Sequence, residues 1–270
     1  MIPKGHSKFR KRIRFVFSRV EKPLYWHGLL RVDRRRLPDF LGIGAGKSGT
    51  TWLYANLKNH PELYLPEVKE LHYFAGSNFH QSVSAYLKFF KPGLGKVKGE
   101  ISPSYATIPL PRIRFIHRLI PDLKIIFLLR NPVDRAWSHA KFPMVTGRNW
   151  DFESISPEFF FEFFRSRRCR ASGEYTLLLR NWESFFPPEQ IFIGFFEDIV
   201  SCPQQLLEQI FRFLGVSTRV DWETFPYRHR ILPGADIPCP PEYVQFLREL
   251  YRDELERLEQ RFGDRVKTWL

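Results

Sequence analysis

Two periods of apolar residues alternate along the chain. Unbroken apolar runs stand at Asp39–Gly44 (DFLGIG), Lys124–Arg130 (KIIFLLR) and Gln190–Phe195 (QIFIGF). Such short runs, bounded by glycine or charge, predict buried parallel strands. Lys96–Glu100 predicts another strand, and Leu63–Phe74 a short extended stretch broken by Pro66. Between these runs apolar residues recur at helical spacing. Thr50–Asn59 turns Trp52, Leu53 and Leu57 to one side and ends at His60-Pro61, because a residue before proline avoids the helical region. Val83, Leu87 and Phe90 mark a helix within Gly76–Leu94. Pro109–Ile120, Val133–Lys141, Pro157–Arg168, Glu174–Phe186 and Cys202–Leu214 predict further helices. Asn131-Pro132 supplies a cap and a first-turn proline. Residues 142–157 read as a loop, and Pro241–Phe262 as one long amphipathic helix closed by Gly263.

Strands alternating with helices predict an α/β fold, a three-layer sandwich with a mainly parallel central sheet flanked by helices. No repeat or low-complexity linker follows residue 37. The expected partition is a basic arm over 1–37 and one domain over 38–270.

Charge changes this picture only at the start of the chain. Residues 1–36 hold 12 of the 42 Lys and Arg and two of the 29 acids, so +10 of the net +13 sits there. The domain itself is close to neutral, which argues against nucleic acid as its partner. Within the arm, Phe9, Ile13, Val16 and Val20 form an apolar stripe among basic residues. That pattern fits either peripheral contact with an anionic membrane or a docked basic helix. No apolar run reaches the roughly 18 residues that span a bilayer. The 43% hydrophobic content supports a core without disulfides. Cys169, Cys202 and Cys239 are widely spaced, so a reducing, cytoplasmic setting is expected. The histidines show no ligand spacing, and no structural metal is expected.

The candidate chemistry begins where the first strand ends. Strand, small-residue loop, Lys47-Ser48-Gly49-Thr50-Thr51, helix: this order makes an anion cradle. Glycines let backbone approach a phosphate, helix-start N–H groups point at it, and Lys47 adds a full charge. A nucleotide kinase or NTPase of the P-loop type is the nearest alternative. Its motif G-x-x-x-x-G-K-[ST] would need glycine at position 41, which is Leu41. Such enzymes also hold magnesium with an acid at a second strand end, where KIIFLLR instead ends in Arg130. A basic binding module that works through the arm is a further alternative.

GAGKSGTTWL resembles the 5′-phosphosulfate loop of sulfotransferases that use 3′-phosphoadenosine-5′-phosphosulfate (PAPS), and IIFLLRNPVDRAWSHA resembles their 3′-phosphate segment. VKELHYF and GEISPSY are similar to segments of the heparan-sulfate type of carbohydrate sulfotransferase. GEYTLLLRNWESFFPPEQIFIGFFEDI is similar to a later helix-strand unit of bacterial relatives. The likeness runs over residues 39–262 in the family's order. It implies a P-loop-like fold, PAPS as co-substrate, 3′-phosphoadenosine-5′-phosphate (PAP) as product, and in-line sulfuryl transfer without metal to a small-molecule or carbohydrate acceptor.

The resemblance also assigns residues. Gly46, Lys47, Ser48, Gly49, Thr50 and Thr51 would cradle the 5′ end, with Lys47 stabilising the leaving oxygen. Arg130 and Ser138 would hold the 3′-phosphate, and Arg228 and Arg230, flanking His229, would close over it. Arg135 reads as a solvated helix residue. Glu70 aligns with the family's catalytic glutamate. His72, two residues on, would face the same way in an extended strand and orient that base or serve as the base. Glu100, Ser102 and Tyr105 are expected to line the acceptor side, with the Gly76–Gly95 and Phe142–Pro157 segments around them. The chain departs from the heparan type at Ala75, where some members carry a sugar-contacting acid, and at Ile101, where they carry lysine.

Overall fold

The computed structural model describes residues 21–27, 29–30, 32–145, 152–232 and 234–270. Five strands form the centre: β1 (Phe40–Gly44), β2 (Leu63–Tyr64), β3 (Val97–Ile101), β4 (Lys124–Leu129) and β5 (Ile191–Phe195). They stand in the order β2-β3-β1-β4-β5 and every pairing is parallel. Phe40 registers with Gly99 on one side and Lys124 on the other.

Side chains alternate across this sheet with the period of two that strands impose. Leu41, Ile43, Ile125, Phe127 and Leu129 face one core, and Phe40, Ile101, Ile126 and Leu128 face the other. The first core is covered by α3 (Leu110–Leu119), α4 (Pro132–Ala140), α8 (Tyr175–Glu183), α11 (Pro241–Leu250) and α12 (Arg252–Phe262). The second is covered by α1 (Thr50–Lys58) and α10 (Pro203–Leu214). Each fully buried Leu, Ile or Phe contributes about 1.5–3 kcal/mol of transfer free energy, so both faces of the sheet are anchored. The expected three-layer α/β sandwich is the observed one.

Several predicted elements differ in detail. The helix foreseen over Pro241–Phe262 breaks at Tyr251, where φ is −107° and ψ 10°. Tyr251 is buried, and its hydroxyl donates to the Cys169 carbonyl at 3.2 Å, so a tertiary bond interrupts a sequence pattern that runs on unbroken. The Gly76–Leu94 segment is a 3-10 turn (Gly76–His80), a single α-turn α2 (Val83–Leu87) and a second 3-10 turn (Lys88–Gly93). Only Leu63–Tyr64 of the Leu63–Phe74 stretch pairs as strand. The helix predicted over Pro157–Arg168 divides into α6 (Pro157–Arg165) and α7 (Arg167–Ala171), because Ser166 takes extended backbone and its hydroxyl accepts from Cys169 N at 3.3 Å. Phe142–Val145 (α5) and Phe152–Ser154 are helical turns inside the expected loop 142–157. Strand β5 ends at Phe195 as expected, and Glu197 and Asp198 lie in the helix α9 (Phe196–Ser201) that follows.

The stripe over Lys8–Val20 lies outside the described residues. Residues 21–26 are helical and dock on the domain. Glu21 accepts from Val83 N at 3.1 Å and Ser84 Oγ at 2.9 Å, capping α2. No helix among the described residues is long and apolar enough to cross a membrane.

Candidate active site

The 45–51 loop and Arg130 follow the C-terminal ends of β1 and β4, the edge at which open parallel sheets place ligands. After β1 the chain turns through residues 45–49 into α1. Gly49 is the cap, with φ 84° and ψ 14°, and a Cβ there would lie 2.2 Å from Ile199 Cδ1. Both backbone conformation and space therefore demand glycine. The first turn of α1 carries no acid to compete for its amides. Thr50 is buried and Thr51 half-buried. The Ser48 hydroxyl is buried without a hydrogen-bond partner, which an anion acceptor would satisfy.

Lys47 sits in this turn at φ 74°, a conformation rare outside glycine. Its Nζ lies 3.9 Å from the centroid of the Phe142 ring. Burial, then the nearby Arg130 charge, lowers its pKa to about 8. From the end of β4, Arg130 NH1 donates to the Lys47 carbonyl at 3.1 Å, and its guanidinium stacks 4.3 Å from the Phe196 ring. Burial depresses the Arg130 pKa as well. Two cations are thus drawn together in a poorly solvated place, an arrangement that is costly until an anion arrives.

Ser138 is half-buried on α4. Tyr175, which sequence reading missed, opens α8; its hydroxyl is buried near Ser48 and, like the Ser48 hydroxyl, makes no hydrogen bond among the described residues. Burial raises its pKa. Arg135 is a correction. It is fully buried, not solvated, and NH2 donates to the Cys169 carbonyl at 2.8 Å and the Tyr251 hydroxyl at 3.2 Å. The acids of β5's C-terminal end are engaged: Glu197 Oε1 accepts from Trp269 Nε1 at 2.9 Å, and Asp198 pairs with Arg265. Among the described residues, no three His, Cys, Asp or Glu side chains gather to hold a metal ion.

Glu70 and His72 meet, though not as predicted. The segment is not an extended strand. Glu70 has φ 65° and His72 φ 50°, and two left-handed residues bring the side chains together. His72 Nε2 lies 3.2 Å from Glu70 Oε2, while Lys69 Nζ engages Glu70 Oε1. His72 Nδ1 lies 2.7 Å from Ser104 Oγ. Lys47, Glu70 and His72 are three of the four non-glycine residues with positive φ among the described residues. Strain of this kind, roughly 1–3 kcal/mol each, persists where surrounding structure over-determines it. The Glu70 charge acts on Lys47 and raises its pKa against the effect of burial.

Glu100, Ser102 and Tyr105 do not line that site. All three are buried, at 2%, 0% and 0% exposure, beneath the Glu70–His72 turn. Glu100 lies in β3, Ser102 just after it and Tyr105 in the 3-10 turn Pro103–Thr107, where the Glu70–His72 turn bonds over them. Arg228 and Arg230 are exposed, and Arg228 stacks 5.1 Å from Tyr227. Their segment is tied to the cradle helix through Trp52 Nε1, which donates to the Tyr227 carbonyl at 2.9 Å. No contact of either arginine with Arg130 or Lys47 appears among the described residues.

A sequence model of the sulfotransferase domain matches residues 37–225. The chain belongs to the sulfotransferase family. It is 28% identical over 283 residues to the bifunctional heparan sulfate N-deacetylase/N-sulfotransferase 4 of Mus musculus, covering 87% of this chain and 31% of that protein. The chain therefore spans about a third of the length of the curated relatives it matches. A sulfotransferase crystal structure from Alicyclobacillus acidocaldarius superposes with TM-score 0.68 at 25% identity, over 86% of this chain and 98% of that one. Mouse sulfotransferase SULT7A1, crystallised with PAP, shares the fold at TM-score 0.56 and 16% identity, over 88% of each chain.

Proposed function

We propose that the chain transfers a sulfuryl group from PAPS to a hydroxyl or amine of a saccharide or small-molecule acceptor. The observation that carries this reading is the joined pair of cation sites: Arg130 bonded to the Lys47 backbone, Lys47 beside an unpartnered Ser48 hydroxyl, and an acid-free helix start. The residues fit a 3′,5′-bisphosphorylated nucleotide. Ser48 offers an unused donor, and Gly49 leaves a cradle that any side chain would fill. The PAP complex of a protein with this fold supports the same ligand.

When bound, PAPS supplies a sulfuryl group on a good leaving phosphate. The protein's part is positional and electrostatic. Lys47 meets charge that grows on the leaving oxygen. Arg130 and Ser138 hold the far phosphate, which leaves the 5′ end in register with Lys47. Glu70 takes the acceptor proton. His72 serves Glu70: its ring bridges the two sides of the turn, with Nδ1 2.7 Å from Ser104 Oγ and Nε2 3.2 Å from Glu70 Oε2. A carboxylate held by Lys69 and His72 is thus fixed in place, with its charge felt at Lys47. The heparan sulfate N-sulfotransferases among the relatives make an amino sugar the first acceptor to try.

Calorimetric titration tests this directly. PAP should bind at micromolar or tighter concentration in EDTA, with ATP at least about tenfold weaker, since ATP lacks the 3′-phosphate that Arg130 would grip, a difference of about 1.4 kcal/mol. Tight ATP binding with indifference to PAP would overturn the reading.

A further inference from the structure

The carboxylate at the end of β3 touches neither candidate phosphate grip, yet it is among the most heavily bonded groups in the molecule. Glu100 Oε1 accepts from the Tyr86 hydroxyl at 2.8 Å and the Tyr105 hydroxyl at 2.7 Å, and Oε2 from the Ser102 hydroxyl at 2.7 Å. The Leu71 backbone adds to the stabilisation of this carboxylate. Two of these hydroxyls reach onward. Ser102 Oγ accepts from His72 N at 3.1 Å, and the Tyr105 hydroxyl accepts from Phe74 N at 3.4 Å. One carboxylate therefore holds two amides of the turn that carries Glu70 and His72: His72 through Ser102, and Phe74 through Tyr105.

From this geometry we infer that Glu100 is a positioning residue for the base. Non-glycine residues leave the left-handed region unless tied there. His72, one of the two left-handed residues, is tied through its own amide to Ser102 and so to Glu100. Burial raises the Glu100 pKa and the hydroxyl bonds from Ser102, Tyr105 and Tyr86 oppose that shift; as the ionised acceptor it holds such a chain of donors better than a neutral one, because bonds to an ionised acceptor are roughly twice as strong. Glu100 lies too deep to meet an acceptor, so it acts through Glu70 and His72. The inference rests on the proposed sulfuryl transfer.

The test is a double-mutant cycle. Activity is read as labelled sulfate moved from PAPS to N-deacetylated heparan sulfate, and PAP affinity by calorimetry. Glu100→Gln should lower kcat by about 100-fold, the penalty of displacing a reacting group by about an ångström. Its PAP dissociation constant should stay within about twofold of wild type. Where Glu70→Ala has already removed the base, adding Glu100→Gln should change kcat by less than about twofold. Equal losses in both backgrounds would mean general damage and overturn the inference, as would wild-type kcat in Glu100→Gln. Should Glu100→Gln fail to fold, Ser102→Ala, which cuts only the His72 link, should show the same non-additivity on a smaller scale, and additivity there would overturn it equally. A wild-type protein that binds no PAP would instead defeat the functional reading, which separates the two failures.

Discussion

The two halves of the site are built by different means. The donor half stands on strand ends and a helix start: Lys47 follows β1, Arg130 ends β4, and α1 supplies the cradle. The acceptor half has almost no regular structure. Residues 65–75 belong to no helix or strand, and side-chain bonds hold this stretch and the turn after it. Glu100 and its hydroxyls take the amides from below. Arg112 donates to the Phe74 and Gly76 carbonyls at 3.0 and 3.3 Å, and Asn78 to the Leu71 carbonyl at 3.3 Å. A ligand common to a family can be gripped by backbone that every member shares. A variable acceptor calls for a wall whose shape a few side chains can reset.

The largest expected effect separates the halves by the parameter that moves. Lys47→Ala should lower kcat by two or more decades, about 3 kcal/mol of lost transition-state charge stabilisation. Arg130→Ala should instead weaken PAP by about tenfold to a hundredfold, the worth of a charge-assisted bond pair. Initial-rate kinetics with calorimetry distinguishes the two. A kcat defect of equal size in both variants would erase the division of labour between the grips.

The sequence showed the donor half far better than the acceptor half, for a physical reason. The cradle is local: residues 44–51 carry glycine, lysine and hydroxyls within one turn, and apolar runs announce the strands around it. The Glu70–His72 turn depends on Glu100, some thirty residues away, brought near by the parallel β3. Nothing in the letters of Glu or His announces positive φ, so an extended strand was the natural expectation. Arg135 was misread because helical periodicity registers one buried face. α4 is covered on a second side by Cys169 and Tyr251, and only the fold reveals that cover. Tyr175 carried no signal beyond its place at the start of a predicted helix.

A smaller effect sharpens the electrostatic side of the contrast. The Lys47 pKa is lowered to about 8 by burial and Arg130. Bound phosphate favours the protonated form, so the pKa must rise on binding. PAP affinity should therefore be level below pH 8 and fall as pH rises past it, by up to about tenfold per unit for one linked proton. Lys47→Arg should flatten that slope, since guanidinium keeps its proton throughout. Calorimetry from pH 7 to 9.5 reads both, and an unchanged slope in Lys47→Arg would place the titrating group elsewhere.

The smallest expected effect tests the acceptor wall at its outer edge. Lys22, in the basic arm, is half-buried, with Nζ donating to the Gln81 carbonyl at 2.8 Å and to that of Phe79, and lying 4.5 Å from the Phe79 ring. Burial lowers its pKa to about 8. The ammonium pins the 3-10 turn Gly76–His80 from outside while Glu100 ties the preceding turn from inside. Lys22→Met keeps the apolar stem and loses the two bonds to carbonyls. It should raise the acceptor KM by about threefold, less than 1 kcal/mol. PAP affinity and kcat should stay within about 1.5-fold, because nothing of Lys22 reaches the cradle or the base. Steady-state kinetics with N-deacetylated heparan sulfate as the varied acceptor measures this. If Lys22→Met moved PAP affinity and left KM alone, the N-terminal segment would belong to the donor half and the contrast would have to be redrawn.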